Sequence, residues 1–287
     1  MYLYEDYWYQ SQDGLNLYAR DYRCKQNKGD EKTLLCIPGL TRNSADFAEL
    51  AEHLVDRYRV IAVDLRGRGK SDYDSNPLNY HPGTYGQDMI DLVRSLSLES
   101  VVVIGTSLGG LIAMGLRALQ PSLIEAVVVN DIGPEVQKEG MERIKDYVGK
   151  TPDVLNWEGA VQSTRDTLAH TYPKFSSSDW EAFTRKLYRQ NAEGIPLLDY
   201  DPDISVLVQQ TPSDNAPDLW PLFEAIKSMS MLVLRGELSD LFSNGCLQKM
   251  QSIKPDMHVA QIPDVGHAPL LTEPEAMGAI DGFLNSL

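Results

Sequence analysis

The chain has 287 residues, enough for one large hydrophobic core with room for an inserted subdomain. Its 43% apolar and 23% charged residues mark a globular protein, without low-complexity tracts or a fixed repeat. The 41 acidic residues outnumber 26 basic ones, and the resulting charge of −15 opposes nucleic-acid phosphates and anionic lipid as partners. In chain order, "MYLYEDYWYQSQDG" lacks the basic start and apolar stretch of a secretory signal, and no later segment reaches about 18 consecutive apolar residues. A cytoplasmic protein with no membrane partner is expected, acting as a monomer or small homo-oligomer. "EDYWYQSQ" and "LNLYARDY" flank Asp13-Gly14, a hairpin dipeptide, and predict two antiparallel strands.

After the hairpin the pattern changes. "TLLCIPG" (33–39), "YRVIAVDL" (58–65), "SVVVIGTS" (100–107), "EAVVVNDIG" (125–133) and "MLVLRGE" (231–237) are short aliphatic runs, as expected of parallel strands buried on both faces. Helical patterns separate most of them. Thr84 and Gln87 form a capping-box signature ahead of a helix carrying Met89, Ile90, Val93 and Leu96 on one face. Alternating strands and helices predict an α/β fold with a mostly parallel, doubly wound sheet and antiparallel strands at its N-terminal edge.

The alternation stops between 134 and 226, where no strand is evident. Ser178 and Glu181 form a second capping-box signature, opening a helix with Trp180, Phe183, Leu187 and Tyr188 on one face and closing near Gly194. Pro196, Pro202, Pro212, Pro217 and Pro221 follow. The expected organisation is a core of residues 1–133 and 227–287 with a helical cap at 134–226.

Residues 101–115, "VVVIGTSLGGLIAMG", place a lone hydroxyl where a buried strand runs into a buried helix. Gly105-Thr106-Ser107-Leu108-Gly109 fits G-x-S-x-G in the strand–turn–helix setting that a nucleophile elbow requires. The glycines keep so sharp a turn possible, and the helix N-terminus directs free N–H groups and its positive dipole end at Ser107. A serine needs a base, and only five histidines exist. His53 lies in an amphipathic helix pattern, His170 in the expected cap and His258 in the last strand. His267, in the loop of "PDVGHAPLL", falls at the same sheet edge as Ser107, with His81 as runner-up. For the orienting carboxylate, "LVLRGELSD" offers Glu237 and Asp240; its position several residues past the strand favours Asp240, and Asp131 is the alternate.

The chain order Ser107, Asp240, His267 resembles the α/β-hydrolase superfamily, in particular its small capped members: carboxylesterases, lactonases and C–C bond hydrolases. The resemblance covers nearly everything outside the cap. "VDLRGRGKSD" (63–72) is similar to the Asp-x-Arg-Gly-x-Gly-x-Ser segment of such enzymes, and "GELSDLFS" and "VGHAP" to their acid and histidine loops. Where many relatives carry His-Gly, this chain has Pro38-Gly39; the oxyanion hole uses main chain, so Leu40 and Leu108 N–H groups are its expected donors. Thr41, Arg42, Trp157, Trp180 and Tyr188 are the expected pocket residues.

"RGRGKS" is not a phosphate loop, because Asp64 stands where glycine is required and no helix follows. Cys24, Cys36 and Cys246 are odd in number and lack metal-site spacing, so reduced thiols and neither metal nor cofactor are expected. The functional expectation is a serine hydrolase of carboxylic esters acting on a small molecule. Two alternatives remain: a lactonase or C–C bond hydrolase with the same triad, and a ligand receptor on this fold, recognisable by tight binding with little turnover.

Overall fold

Aliphatic runs at the centre of the chain form strands because side chains on both faces find an apolar partner. The computed structural model describes residues 4–26, 32–211 and 218–287, so Pro212 and Pro217 of the proline-rich stretch lie outside the described residues. In the first half the chain forms β1 (Glu5–Gln10), β2 (Asn16–Tyr22), β3 (Thr33–Ile37), α1 (Ala48–Leu54), β4 (Arg59–Asp64), α2 (Pro82–Ser95), β5 (Val101–Thr106), α3 (Leu108–Leu119) and β6 (Ile124–Asn130). Next come α4 (Lys138–Tyr147), α5 (Trp157–Leu168), α6 (Ser177–Leu187), the short strands β7 (Tyr188–Gln190) and β8 (Pro196–Leu198), α7 (Ser205–Gln210) and α8 (Trp220–Ile226). The chain then returns with β9 (Ser230–Gly236), α9 (Asn244–Ile253), β10 (His258–Ile262) and α10 (Pro274–Leu284).

Eight strands make one sheet in the order β1-β2-β4-β3-β5-β6-β9-β10. The β1/β2 and β2/β4 pairs are antiparallel and the rest parallel, so the hairpin forms the N-terminal edge as the sequence predicts. Alternate residues of β5 feed two cores. Val101 and Val103 pack with α2, α3 and α8 through Met89, Ile112 and Phe223; Val102 and Ile104 pack with α1 and α10 through Leu50, Ile280 and Phe283. Each such side chain contributes about 1.5–3 kcal/mol on burial. This is the mostly parallel sheet that the sequence predicts, and the loops that follow its parallel strands leave at one edge.

Three local expectations are corrected. Helix α2 begins at Pro82, not at the Thr84 signature: Pro82 supplies a preset φ at the first turn, and His81 caps it by accepting from Gly83 N at 3.0 Å. The working capping box of α6 is Ser176 with Asp179, two residues before the Ser178–Glu181 pair, and both reciprocal bonds are made. That helix stops at Leu187, because Tyr188 turns extended and starts an antiparallel β7–β8 ribbon within the stretch read as free of strands.

Candidate active site

Ser107 sits between β5 and α3 at φ 51°, ψ −113°, a conformation that L-residues avoid. The flanking glycines are sterically required. A Cβ on Gly105 would lie 2.4 Å from the carbonyl of Gly109, and one on Gly109 would lie 2.1 Å from the carbonyl oxygen of Ile37. The turn is fixed from below by the Ser107 N–H, which donates to Asn130 O at 2.8 Å.

The hydroxyl of Ser107 lies 2.8 Å from Nε2 of His267, which arrives from the loop after β10. That loop is held on both sides. Asn130 Nδ2 donates to Pro269 O at 2.8 Å, Tyr172 OH donates to Ala268 O at 2.8 Å, and Gly266 N donates to Thr171 O at 2.8 Å.

Nδ1 of His267 meets Asp131, not Asp240, at 2.8 Å. Asp131 is the first residue past β6, with φ 57°, and its side chain is fully buried. Its other carboxylate oxygen accepts from Gly236 N at 2.9 Å, and its own N–H donates to Leu234 O at 2.8 Å, so the group is gripped by β9 as well. The expectation for Asp240 is therefore corrected. Arg143 of α4 donates to it through Nε at 2.6 Å and Nη2 at 2.8 Å, which ties the carboxylate to α4. Burial opposes ionisation of Asp240, but those guanidinium bonds prevail and hold its carboxyl below the ordinary value. Glu237 is also elsewhere, exposed and accepting from Asp264 N at 3.0 Å. A carboxylate directly after the strand beside β5 was the sequence signal for Asp131. The positive φ that aims it is a tertiary outcome.

The other four histidines make no bond to the serine: His81 caps α2, His53 bonds Asp281 at 2.7 Å, His170 is exposed with Nε2 3.2 Å from Thr171 Oγ1, and His258 is exposed on β10.

Leu108 opens α3, so its N–H has no partner within the helix. Across from it, a Cβ on Gly39 would be 3.8 Å from Ser107 Cβ, which places the loop bearing Leu40 against the serine. Together these main-chain segments form a site able to receive a developing oxyanion.

A cavity of about 330 Å³ is lined by Ser107 and His267, by Leu40 and, of the expected pocket residues, by Thr41, Arg42 and Tyr188. Trp157 and Trp180, expected in it, do not line it. Trp180 is buried against Tyr172, Phe175 and Phe183, and Trp157 is covered by the Arg185 guanidinium at 4.2 Å from its ring. Tyr147, Tyr172, Tyr200 and Phe183 line the cavity instead and were not anticipated: Tyr172 and Tyr200 lie in loops, and helical spacing does not tell which face of α4 or α6 looks inward. Among the described residues, no group of three or more His, Cys, Asp or Glu is placed to hold a metal, and no helix is long and apolar enough to cross a membrane.

Residues 34–280 match the family model described as the alpha/beta hydrolase family. The chain belongs to that family. Among curated relatives, a 3-hydroxybutyrate-oligomer hydrolase of Cupriavidus necator is 33% identical over 259 residues, covering 88% of each chain. A 2-(acetamidomethylene)succinate hydrolase of Mesorhizobium japonicum is 29% identical over 263 residues, covering 91% of each. Among solved structures, an alpha/beta hydrolase from Novosphingobium aromaticivorans superimposes with a TM-score of 0.91 at 39% identity over 100% of both chains. The alpha/beta hydrolase assignment accords with the sheet order and with the serine at the end of β5, and this chain is a hydrolase of that kind.

Proposed function

We propose that this hydrolase cleaves short carboxylic esters through an acyl-enzyme on Ser107, with His267 as base and Asp131 as its orienting acid. The carrying observation is the continuous relay from Ser107 Oγ to His267 to Asp131, with 2.8 Å at both links. His267 takes the serine proton as Oγ bonds to the acyl carbon, and the Leu40 and Leu108 N–H groups stabilise the oxyanion. The ester C–O bond then breaks, and the departing alkoxide takes the proton from His267. Water, deprotonated by the same imidazole, attacks the acyl carbon, and the acid leaves as Ser107 regains its proton.

Cavity size and relatives support the substrate class. About 330 Å³ lies at the small end of ligand cavities, which favours compact acyl groups over long chains. The relative named for 3-hydroxybutyrate oligomers makes esters of short hydroxy acids the first substrates to test. The helical segment from α4 to α8 acts as the cap that supplies the far wall. We place the protein in the cytoplasm, in keeping with three buried free cysteines.

A second reading, hydrolysis of a non-ester bond with the same triad, is favoured by the similarity to the 2-(acetamidomethylene)succinate hydrolase. Initial rates on p-nitrophenyl esters from acetate to long acyl chains, with Ser107→Ala alongside, separate the two. Turnover that peaks at short chains and vanishes in the variant supports esterase chemistry. A folded wild-type protein inert on every ester defeats it in favour of the second reading.

A further inference from the structure

Arg68 is the most unusual charged residue in the fold. It is fully buried, yet no carboxylate pairs with it among the described residues. Its neighbour Arg66 shows the ordinary solution, with Asp13, Asp74 and Asp88 around its guanidinium. Arg68 instead donates through Nη1 to the carbonyl of Arg66 at 2.7 Å and to Tyr85 OH at 2.8 Å, lies over the Tyr85 and Tyr80 rings at 4.8 and 5.7 Å, and leaves Nη2 without a partner. A buried cation without a counter-ion is costly, and an apolar side chain of similar volume usually serves a core better. Its remaining bond explains its presence: Nε donates to the carbonyl oxygen of Leu40 at 2.8 Å.

We propose that Arg68 is a positioning residue for the oxyanion-binding loop, fixing the Leu40 backbone so that its N–H faces the reacting carbonyl. The proposal rests on Leu40 being an oxyanion donor in the reading above. The loop from Gly39 to Ser44 closes on itself through Arg42 N to Gly39 O at 3.2 Å and hangs from the 64–69 segment at both ends. At one end is the Arg68 bond; at the other, Ser44 bonds Asp64 through its N–H, at 2.7 Å to Oδ1, and through its side chain. The Leu40 N–H belongs to the Gly39–Leu40 peptide, whose carbonyl accepts from Arg42 N, and the Arg68 bond holds the next peptide, Leu40–Thr41. With both planes held, the Leu40 N–H keeps its direction and the Leu40 carbonyl stays turned toward Arg68 rather than toward a developing oxyanion. The same segment is fastened to the chain beyond β8. Gly69 N donates to Asp199 O at 3.0 Å, Asp201 N donates to Gly67 O at 2.8 Å, and Arg68 pairs with Tyr200, a cavity residue, as an isolated antiparallel bridge. Arg68 therefore links the oxyanion loop to a residue that lines the cavity.

The test compares wild type, Arg68→Met and Arg68→Lys by kcat and KM on p-nitrophenyl butyrate, by the second-order rate at which a fluorophosphonate labels Ser107, and by thermal midpoint. Losing one oxyanion donor outright costs about 10²–10³ in kcat, so its misplacement in Arg68→Met is expected to lower kcat about 10- to 100-fold. KM should stay within about 3-fold, and the labelling rate should fall in step with kcat, because both reactions develop charge at the same site. Arg68→Lys, which keeps one donor for the Leu40 carbonyl, should recover most of the loss. A folded Arg68→Met with kcat and labelling rate near wild type, or with its loss in KM alone, overturns the proposal. If Arg68→Met does not fold, Tyr85→Phe, which removes one anchor of the guanidinium, is expected to lower kcat and labelling together by about 3- to 10-fold, and no change in either overturns it. Wild-type protein that labels at Ser107 but hydrolyses no ester defeats only the ester reading, since labelling rates still decide the role of Arg68.

Discussion

Replacing Asp131 by Asn tests the relay most directly. Asn tolerates the left-handed backbone at this position, and its carbonyl can still accept from Gly236 N, so the variant is expected to fold. Its amide then faces His267 Nδ1 as a donor. The imidazole must answer by accepting there, which leaves the proton on Nε2, opposite the Ser107 hydroxyl, where nothing remains to take the serine proton. The equivalent change in a serine protease costs about 10⁴ in kcat, or about 5.4 kcal/mol of transition-state stabilisation. A loss of about 10³- to 10⁴-fold in kcat on p-nitrophenyl butyrate, with KM little changed, is the expected result. Asp240→Asn serves as the comparison. It weakens a partly exposed ion pair with Arg143, worth about 1 kcal/mol, and leaves His267 untouched, so kcat should stay within about 3-fold of wild type. The reverse order, an active Asp131→Asn and an inactive but folded Asp240→Asn, would refute the reasoning.

Gly109→Ala drives a methyl against the Ile37 carbonyl and should cost at least about 3 kcal/mol, which calorimetry would register as a fall in Tm of about 6–12 °C. Arg66→Ala strands the carboxylates of Asp74 and Asp88 in the core; chemical denaturation should show a loss of about 3–5 kcal/mol, and a loss below 1 kcal/mol would show the network to be dispensable. Burial, reinforced by the nearby Asp64 charge, pushes the Asp199 carboxyl up to about 6. Because this folded-state value lies above the unfolded one of 3.8, the folded protein holds the proton more tightly, and its stability falls as pH rises from about 4 through 6. Asp199→Asn removes that titration, so the wild type should lose about 1–3 kcal/mol relative to the variant between pH 4 and 7.5; parallel pH profiles would count against it.

Legibility in the sequence followed the range of the interactions involved. The strands around β5 were readable because Val101 to Ile104 are apolar on both faces, a property local to the chain. Ser107 was readable because its two glycines record a collision between adjacent turns. His267 could be placed by elimination among five histidines. The acid could not, since Asp131 and Asp240 both leave strands at the same edge, and the choice depends on where Arg143 of α4 comes to rest. The β7–β8 ribbon escaped notice because strands of three residues carry no alternation. The cavity aromatics were misjudged for a similar reason: Trp180 and Phe183 share one face of α6, yet only Phe183 reaches the cavity.

Tyr172 and Thr171, which follow α5, hold the histidine loop through Ala268 and Gly266. The segment between β6 and β9 is therefore not a detachable module. A chimera that exchanges it with a relative's to alter specificity must also transplant this two-residue clasp, or the recipient inherits a new pocket around a base that has lost one of its moorings.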